Sequence, residues 1–384
     1  MKNFEQFIRD IIENTAYICK EEQNMDKREI TVSDAGTVVS KIYVEGSLDR
    51  LSECLGVSDS VFFVYDSNIR KIAEEIRSVV KVDSAMALDV SEEIKTLDTV
   101  AGICSWLLDS GADRTSVLLA AGGGILTDIA GFAAAVYMRG IRVAYIPTTL
   151  LSQVDASIGG KTGVNLESYK NIIGLVRQPE FTYICPSVVL GLPENDLRAG
   201  VAEMLKTFII ADNGFYQKTV DLFSSGRRIG TDDLDTLAEL IYAAVKVKSG
   251  IVSDDQFEHG ARRKLNLGHT FAHAIEWCAN SAYKNGTGLA FSHGQAVSVG
   301  LVLAARLSET LGVAEKGLAE KLKRDLSACG LPVSSPFHVT ELSGAMKKDK
   351  KAEKDRIHFV LIHKIGDVFI LDLTLCEVER KLKE

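Results

Sequence analysis

SVLLAAGGGILTDIAGFAAAVY, residues 116–137, is the stretch on which the fold turns. Val117 to Ala121 form a short unbroken apolar run, the pattern of a strand buried on both faces. Gly122, Gly123 and Gly124 interrupt it, and the residues that follow carry the apolar period of a helix. Strand, glycine turn and helix in that order are half of a crossover unit. The neighbouring runs supply the rest: VFFVYD (61–66) and SAMALDV (84–90) before it and RVAYIP (142–147) after it, with helical periods between. This alternation predicts a parallel α/β sheet. Upstream, residues 30–46 hold two β-branched runs around Ser33-Asp34-Ala35-Gly36 and predict a hairpin. From Leu192 onward long helical patterns take over, so the second half is expected to be an all-α domain. Pro186 and Pro193 flank the change and place a boundary near residue 190.

The 384 residues exceed what one hydrophobic core usually organises, which fits two domains. Charged residues make up 25% of the chain and the net charge is −8, which argues against a nucleic-acid or anionic-membrane surface. The seven cysteines are odd in number, scattered and without a CxxC pair, as expected of free thiols in a reducing compartment. MKNFEQFIRDIIENTAY at the N-terminus reads as an amphipathic helix and not as a signal peptide, because polar residues interrupt its apolar positions. No stretch is long and apolar enough for a membrane span, and a cytoplasmic location is expected.

Three regions carry chemistry. Gly122–Gly124 at the head of a helix can bring backbone N–H groups close to a diphosphate, although a tight turn without a ligand has the same sequence. Asp66-Ser67-Asn68 ends an earlier strand, and helix capping is its simpler reading. The stretch 147–165, rich in hydroxyl, amide and glycine residues around Lys161, reads as an anion-binding loop, with Lys170 and Asn171 in a second polar break. In the third region Glu203 and Lys206 share one face of an apolar helix, His269 and His273 stand at i and i+4, and His293 opens the next helix. One carboxylate and two imidazoles make a plausible open Zn²⁺ site, for which spacing alone pairs His269 with His273; buried histidines satisfied by backbone carbonyls are the alternative. His259, His338, His358 and His363 lack such a setting. The basic run 347–351 is either a solvated face or the rim of a pocket for a small polyanion.

In chain order, GGGILTDIAGFAAAVYMRGI, PTTLLSQVDASIGGKTGVN, LRAGVAEMLKT, RRKLNLGHTFAHAIE, HGQAVSVG and MKKDKK resemble the 3-dehydroquinate synthase family over roughly residues 55–370. The resemblance implies a domain plan of residues 1–25 as an extension, 26–190 as a Rossmann-like NAD-binding α/β domain and 191–384 as a helical metal- and substrate-binding domain. It implies NAD and one divalent ion, Zn²⁺ or Co²⁺, as cofactors, with Glu203, His269 and His293 as the metal ligands. His273 moves to the substrate, overruling the spacing-based pair. Asp66, Asn68, Glu92, Lys95, Gly122, Gly123, Gly124, Asp128, Thr148 and Thr149 fall on NAD-contacting positions. Lys161, Lys206, Lys248, Arg262, Asn266 and His273 fall on catalytic positions, and Asp155, Lys170, Asn171 and Lys350 on substrate-binding ones. Arg139 matches an arginine that crosses a dimer interface towards the substrate phosphate, so a homodimer is expected.

The implied reaction converts the sugar phosphate 3-deoxy-D-arabino-heptulosonate 7-phosphate to 3-dehydroquinate and phosphate, in the shikimate pathway of aromatic amino acid biosynthesis. It proceeds by transient oxidation at C5, β-elimination of phosphate, re-reduction, ring opening and intramolecular aldol closure. The chain departs from the family pattern at Gln295, where an acid is usual, at Ala272 in GHTFAH, and in a longer segment from Asn280 to Ser292. A sister sugar phosphate cyclase and a metal-dependent NAD polyol dehydrogenase are the rival activities. Lys161, Asn171, Lys248, Arg262 and Asn266 together favour the dehydroquinate branch.

Overall fold

A computed structural model of the chain describes residues 28–56, 59–167, 169–224, 228–284, 291–347 and 356–383. The expected N-terminal extension, Lys350 and most of the basic run 347–351 lie outside the described residues. The first half contains β1 (Arg28–Asp34), β2 (Thr37–Val44), β3 (Val61–Asp66), β4 (Ser84–Leu88), β5 (Val117–Gly122), β6 (Arg142–Pro147), β7 (Lys161–Leu166), β8 (Tyr169–Val176) and β9 (Phe181–Ile184). Its helices are α1 (Arg70–Val79), α2 (Leu97–Asp109) and α3 (Gly124–Val136). Seven strands form one sheet in the order β1-β2-β9-β6-β5-β3-β4. Only the β1–β2 hairpin pairs antiparallel; every other pairing in that sheet is parallel.

The unbroken apolar runs follow from burial on both faces of the sheet. Val117, Leu119 and Ala121 of β5 pack with Phe63, Ile146 and the Ala73 and Ile76 side chains of α1. Leu118 and Ala120 point the other way, into a cluster with Phe62, Val64, Val100, Ile103 and Ile129 from β3, α2 and α3. A strand sandwiched between helices has no polar face to display, so the period of two vanishes from its sequence.

The polar stretch read as a ligand loop is mostly not a loop. Ser152–Ala156 form a turn of π-helix, and β7 and β8 pair antiparallel as a separate two-stranded sheet. Glycines disguised the strands: Gly163 pairs with Gly174, and a Cβ on Gly163 would stand 2.7 Å from the Ile173 carbonyl oxygen. Several of the polar groups also have a packing role, contrary to expectation. Gln153 is fully buried and donates to the carbonyls of Pro147 and Cys185.

The second half is helical, through α4 (Glu194–Ala211), α5 (Asn213–Phe223), α6 (Leu234–Asp254), α7 (His269–Lys284), α8 (His293–Thr310), α9 (Leu318–Ala328), α10 (Val339–Met346) and α11 (Leu375–Lys383). One hairpin is added to the expected helices, β10 (Arg356–Lys364) with β11 (Asp367–Thr374). It is tied to the bundle by Phe359 against Phe271 of α7, by Ile362 N–H donating to Ser308 Oγ, and by Gly366 N–H donating to the Ile209 carbonyl. The large core of this half also takes in Val32, Ile42 and Val44 of the first hairpin, so the sheet's edge packs into the bundle. Among the described residues no helix is long and apolar enough to cross a membrane. No disulfide joins any two of the six cysteines among the described residues.

Candidate active site

Three helices bring Glu203, His269 and His293 together. Glu203 lies within α4, and the two histidines are the first residues of α7 and α8. Glycines set how closely these helices approach. A Cβ on Gly294 would lie 2.3 Å from Ala199 Cα in α4, and one on Gly300 would lie 2.2 Å from the Gly268 carbonyl oxygen just before α7. Gly268 itself has φ 76°, a left-handed conformation that glycine adopts without strain. Ser292 caps α8 by accepting from Gln295 N–H, while Gln295 Oε1 accepts from Ser292 N–H. Glutamine thus completes the capping box that an acid would also complete, and the departure at this position leaves the helix start intact.

One donor atom from each of Glu203, His269 and His293 lies within 4.8 Å of the others, the only such trio of His, Cys, Asp and Glu side chains among the described residues. Glu203 Oε1 is 3.2 Å from His293 Nε2 and 3.6 Å from His269 Nε2. Of the i, i+4 pair chosen from spacing, only His269 belongs to the trio; His273 stays outside it and meets His269 edge-on, with ring centroids 5.6 Å apart. The far nitrogens are held as well. His269 Nδ1 is 3.1 Å from the Leu267 carbonyl oxygen, and His293 Nδ1 is 3.4 Å from Glu276 Oε1. An imidazole that gives its Nδ1–H to an acceptor presents an Nε2 lone pair to a metal.

Glu203 is fully buried, and neither of its oxygens makes a hydrogen bond of acceptable geometry. Lys206 Nζ lies 2.6 Å from Oε2, an ion pair without hydrogen-bond alignment. Burial would raise the carboxyl's pKa, but Lys206, His269 and His293 outweigh it and hold Glu203 well below the usual range. A buried, ionised carboxylate with orphaned oxygens, facing two imidazoles, is the donor set of a divalent cation.

A basic cluster adjoins the trio. Lys206 Nζ and Lys248 Nζ stand 3.6 Å and 2.6 Å from Asp155 Oδ1, and all three groups are largely buried. Two lysines therefore share one acid. Burial works against the charge on both, but Asp155 and Glu203 raise the pKa of Lys206, whereas Lys248 stays below its ordinary value with the Lys206 charge beside it. Arg262, also buried, donates to the carbonyls of Gly159 and Gln256. Lys161 and Asn266 both bond to Glu258, and Lys170 pairs with Glu276 at 3.1 Å. The sequence reading missed both of these acids. Glu276 could have been found from its spacing to His269, two helical turns along a face already marked by His273.

The glycine-rich turn lies at the C-terminal end of β5. Gly123 caps α3 with no side-chain hydrogen bond to the helix, so the first-turn N–H groups remain open to an anion. Packing demands glycine there too: a Cβ on Gly124 would meet Ala156 Cβ at 2.8 Å. Lys95 Nζ lies 2.6 Å from Asp128 Oδ2 beside this turn, and burial, opposed by Lys95, pushes the Asp128 carboxyl up to about 6. Thr148 N–H donates to the Gly122 carbonyl, and Thr149 Oγ1 accepts from Ser152 N–H. Glu92 accepts from Asn165, whose own side-chain oxygen accepts from Asn171 N–H. Asp66 does act as a cap, accepting from Asn68 N–H at 3.0 Å. Arg139 stands apart, exposed, with left-handed backbone at Met138 and Arg139 (φ 48° and 68°).

Two family profiles, described as 3-dehydroquinate synthase N-terminal and 3-dehydroquinate synthase C-terminal, match residues 85–199 and 200–352. The 3-dehydroquinate synthase of Acidithiobacillus ferrooxidans is 39% identical over 316 residues, covering 81% of this chain and 84% of the relative. Among solved structures, 2-epi-5-epi-valiolone synthase from Streptomyces hygroscopicus subsp. jinggangensis, with NAD⁺ and Zn²⁺ bound, superposes with TM-score 0.79 at 27% identity over 92% of this chain and 98% of that one. A 2-deoxy-scyllo-inosose synthase complexed with carbaglucose-6-phosphate, NAD⁺ and Co²⁺ shares the fold, with TM-score 0.77 at 21% identity over 92% of this chain and 99% of that one.

Proposed function

The chain belongs to the 3-dehydroquinate synthase family, and we propose that it converts 3-deoxy-D-arabino-heptulosonate 7-phosphate to 3-dehydroquinate and phosphate, as an NAD- and metal-dependent lyase of the shikimate pathway. The observation that carries this reading is the trio of Glu203, His269 and His293 set beside the buried lysines 206 and 248. A polyol dehydrogenase needs a metal and a dinucleotide; a pocket with this many cations suits a substrate that also bears a carboxylate and a phosphate.

Glu203, His269 and His293 would hold Zn²⁺ or Co²⁺, which supplies Lewis-acid polarisation of substrate hydroxyls when bound. Gly122 to Gly124 and the open first turn of α3 would hold the diphosphate of NAD, which supplies a hydride acceptor regenerated within each turnover. Asp66, Asn68, Glu92, Lys95, Asp128, Thr148 and Thr149 complete that pocket. The remaining roles fall to side chains that bind and orient. Lys161, Lys248, Arg262 and Asn266 fix the sugar's oxygens and carboxylate, with Glu258 keeping Lys161 and Asn266 side by side. His273, Lys170, Asn171 and Lys350 gather round the phosphate, joined by Arg139 from a second copy of the chain in a homodimer. Lys206 keeps Glu203 ionised, and Asp155 holds Lys206 and Lys248 in one charge network. Such clamping keeps one bound molecule in place through several bond changes. The division near residue 190 and a cytoplasmic location, which suits free thiols, belong to the same proposal.

The test supplies the purified protein with the heptulosonate phosphate, catalytic NAD and Zn²⁺ or Co²⁺, and follows free phosphate and dehydroquinate. Both products are expected in equal amounts without net NADH. Stoichiometric NADH without phosphate would identify a dehydrogenase instead. No phosphate from this substrate, but phosphate from another sugar phosphate, would identify a sister cyclase.

A further inference from the structure

Glu276 lies in the interior of α7, and its side chain is only 8% exposed. Its Oε1 faces two nitrogens that arrive from different elements: His293 Nδ1 at 3.4 Å from the start of α8, and Lys170 Nζ at 3.1 Å from β8. The opposite nitrogen of the same imidazole, His293 Nε2, looks at Glu203. Among the described residues no other acceptor reaches His293 Nδ1. Lys170 is otherwise on an open hairpin, with 42% of its side chain exposed, and this ion pair is what ties it to the bundle.

We propose that Glu276 is a positioning residue with two partners. Towards His293 it takes the Nδ1–H, fixing the tautomer that turns the Nε2 lone pair to the metal. Towards Lys170 it holds the ammonium, and with it the β7–β8 hairpin, over the same site. One carboxylate oxygen would thereby register the metal centre against the hairpin that carries Lys170 and Asn171. The inference rests on the metal reading of Glu203, His269 and His293. A purely structural ion pair between α7 and β8 would stabilise the fold without touching the metal.

Metal affinity separates the two. Zn²⁺ affinity is measured by competition with a chromophoric chelator, and the visible spectrum of the Co²⁺-loaded protein is recorded, for wild type, Glu276→Gln, Glu276→Ala and Lys170→Met. Loss of an outer-shell carboxylate is expected to weaken binding about 10–100-fold in Glu276→Ala. Glu276→Gln, whose amide oxygen still accepts from Nδ1–H, should fall between it and wild type, and it decides the matter if the alanine variant does not fold. Lys170→Met should leave Zn²⁺ affinity and the Co²⁺ spectrum unchanged. Both Lys170→Met and Glu276→Gln should raise KM for the sugar phosphate, and the double variant should raise it no further than the worse single one. Glu276 variants that bind Zn²⁺ as tightly as wild type, with an unaltered Co²⁺ spectrum, would overturn the proposal. So would a Lys170→Met variant that loses as much metal affinity as Glu276→Gln. A wild-type protein that binds no metal, or one whose binding survives Glu203→Ala, would instead bring down the metal reading and this inference with it.

Discussion

Without a metal, His293 sits between two carboxylates. Burial pulls its pKa down, but the facing carboxylates of Glu203 and Glu276 win and lift it to about 10. His269 goes the other way: burial, with the Lys206 charge nearby, pushes it down to about 3. Near neutral pH the trio therefore holds one proton, on His293, and a metal must displace it. The sign follows from the raised value. The proton's contribution to the metal-free fold is fully present below the ordinary histidine pKa and is lost as pH rises through about 10. Metal affinity should accordingly weaken by about tenfold for each unit that pH falls across the neutral range, with release of about one proton per ion. Calorimetry of Zn²⁺ binding in buffers of different ionisation enthalpy measures that proton, and a release near zero would show that His293 is already neutral. At this scale the sequence was partly legible. Glu203 and Lys206 stood out as charges in an apolar helix, and His269 as one of a local pair. His293 could be joined to them only by family likeness, because its contact with Glu203 depends on how two helices cross, which local periodicity does not encode. Glu276 was legible in its spacing of seven from His269, but only once that helix face was known to carry the site.

Helix approach is what makes the trio, and two glycines test it. Gly294 follows His293 directly and has no room for a methyl group beside Ala199. Gly294→Ala should force α8 away from α4, costing about 1–3 kcal/mol from overpacking and weakening Zn²⁺ binding as His293 moves away from Glu203. Gly344 in α10 has nothing within 4 Å of the corresponding position. There the same substitution should stabilise by about 0.4–1 kcal/mol and leave metal affinity alone. Urea denaturation of both variants checks the opposite signs; equal effects would mean that packing at Gly294 does not set the site. Elements were read from sequence with uneven success for related reasons. Strands buried on both faces were plain as apolar runs between helical periods. The β7–β8 hairpin was taken for a loop because facing glycines and an exposed polar face leave no apolar alternation. The β10–β11 hairpin was absorbed into the helical half, although VFIL in DVFILDLT is a short continuous apolar run of the kind a strand carries, because helical patterns surround it.

At the scale of the whole molecule, a chain of net charge −8 concentrates cations where the sheet-bearing half meets the helical one. Lys161 and Lys170 come from the β7–β8 hairpin, Lys206 and Lys248 from the helices, and Asp155, Glu203, Glu258 and Glu276 hold them in pairs. Arg139 is a proposed site residue outside this network. It projects from a left-handed turn between Val136 and Met138, both exposed apolar residues, and Gly140. Strain at an exposed, partly apolar turn is best explained if a second copy of the chain covers it and receives the arginine. Two variants distinguish that arrangement from a residue acting within its own chain. Arg139→Ala and Lys248→Ala should each lose most activity as homodimers, since each empties one position in both sites. Unfolded together and refolded, half of the randomly paired dimers are hybrids, and each hybrid holds one site with both residues intact. Activity should return to about a quarter of the wild-type value. A mixture no more active than its two components would show that Arg139 does not reach across and acts within its own chain.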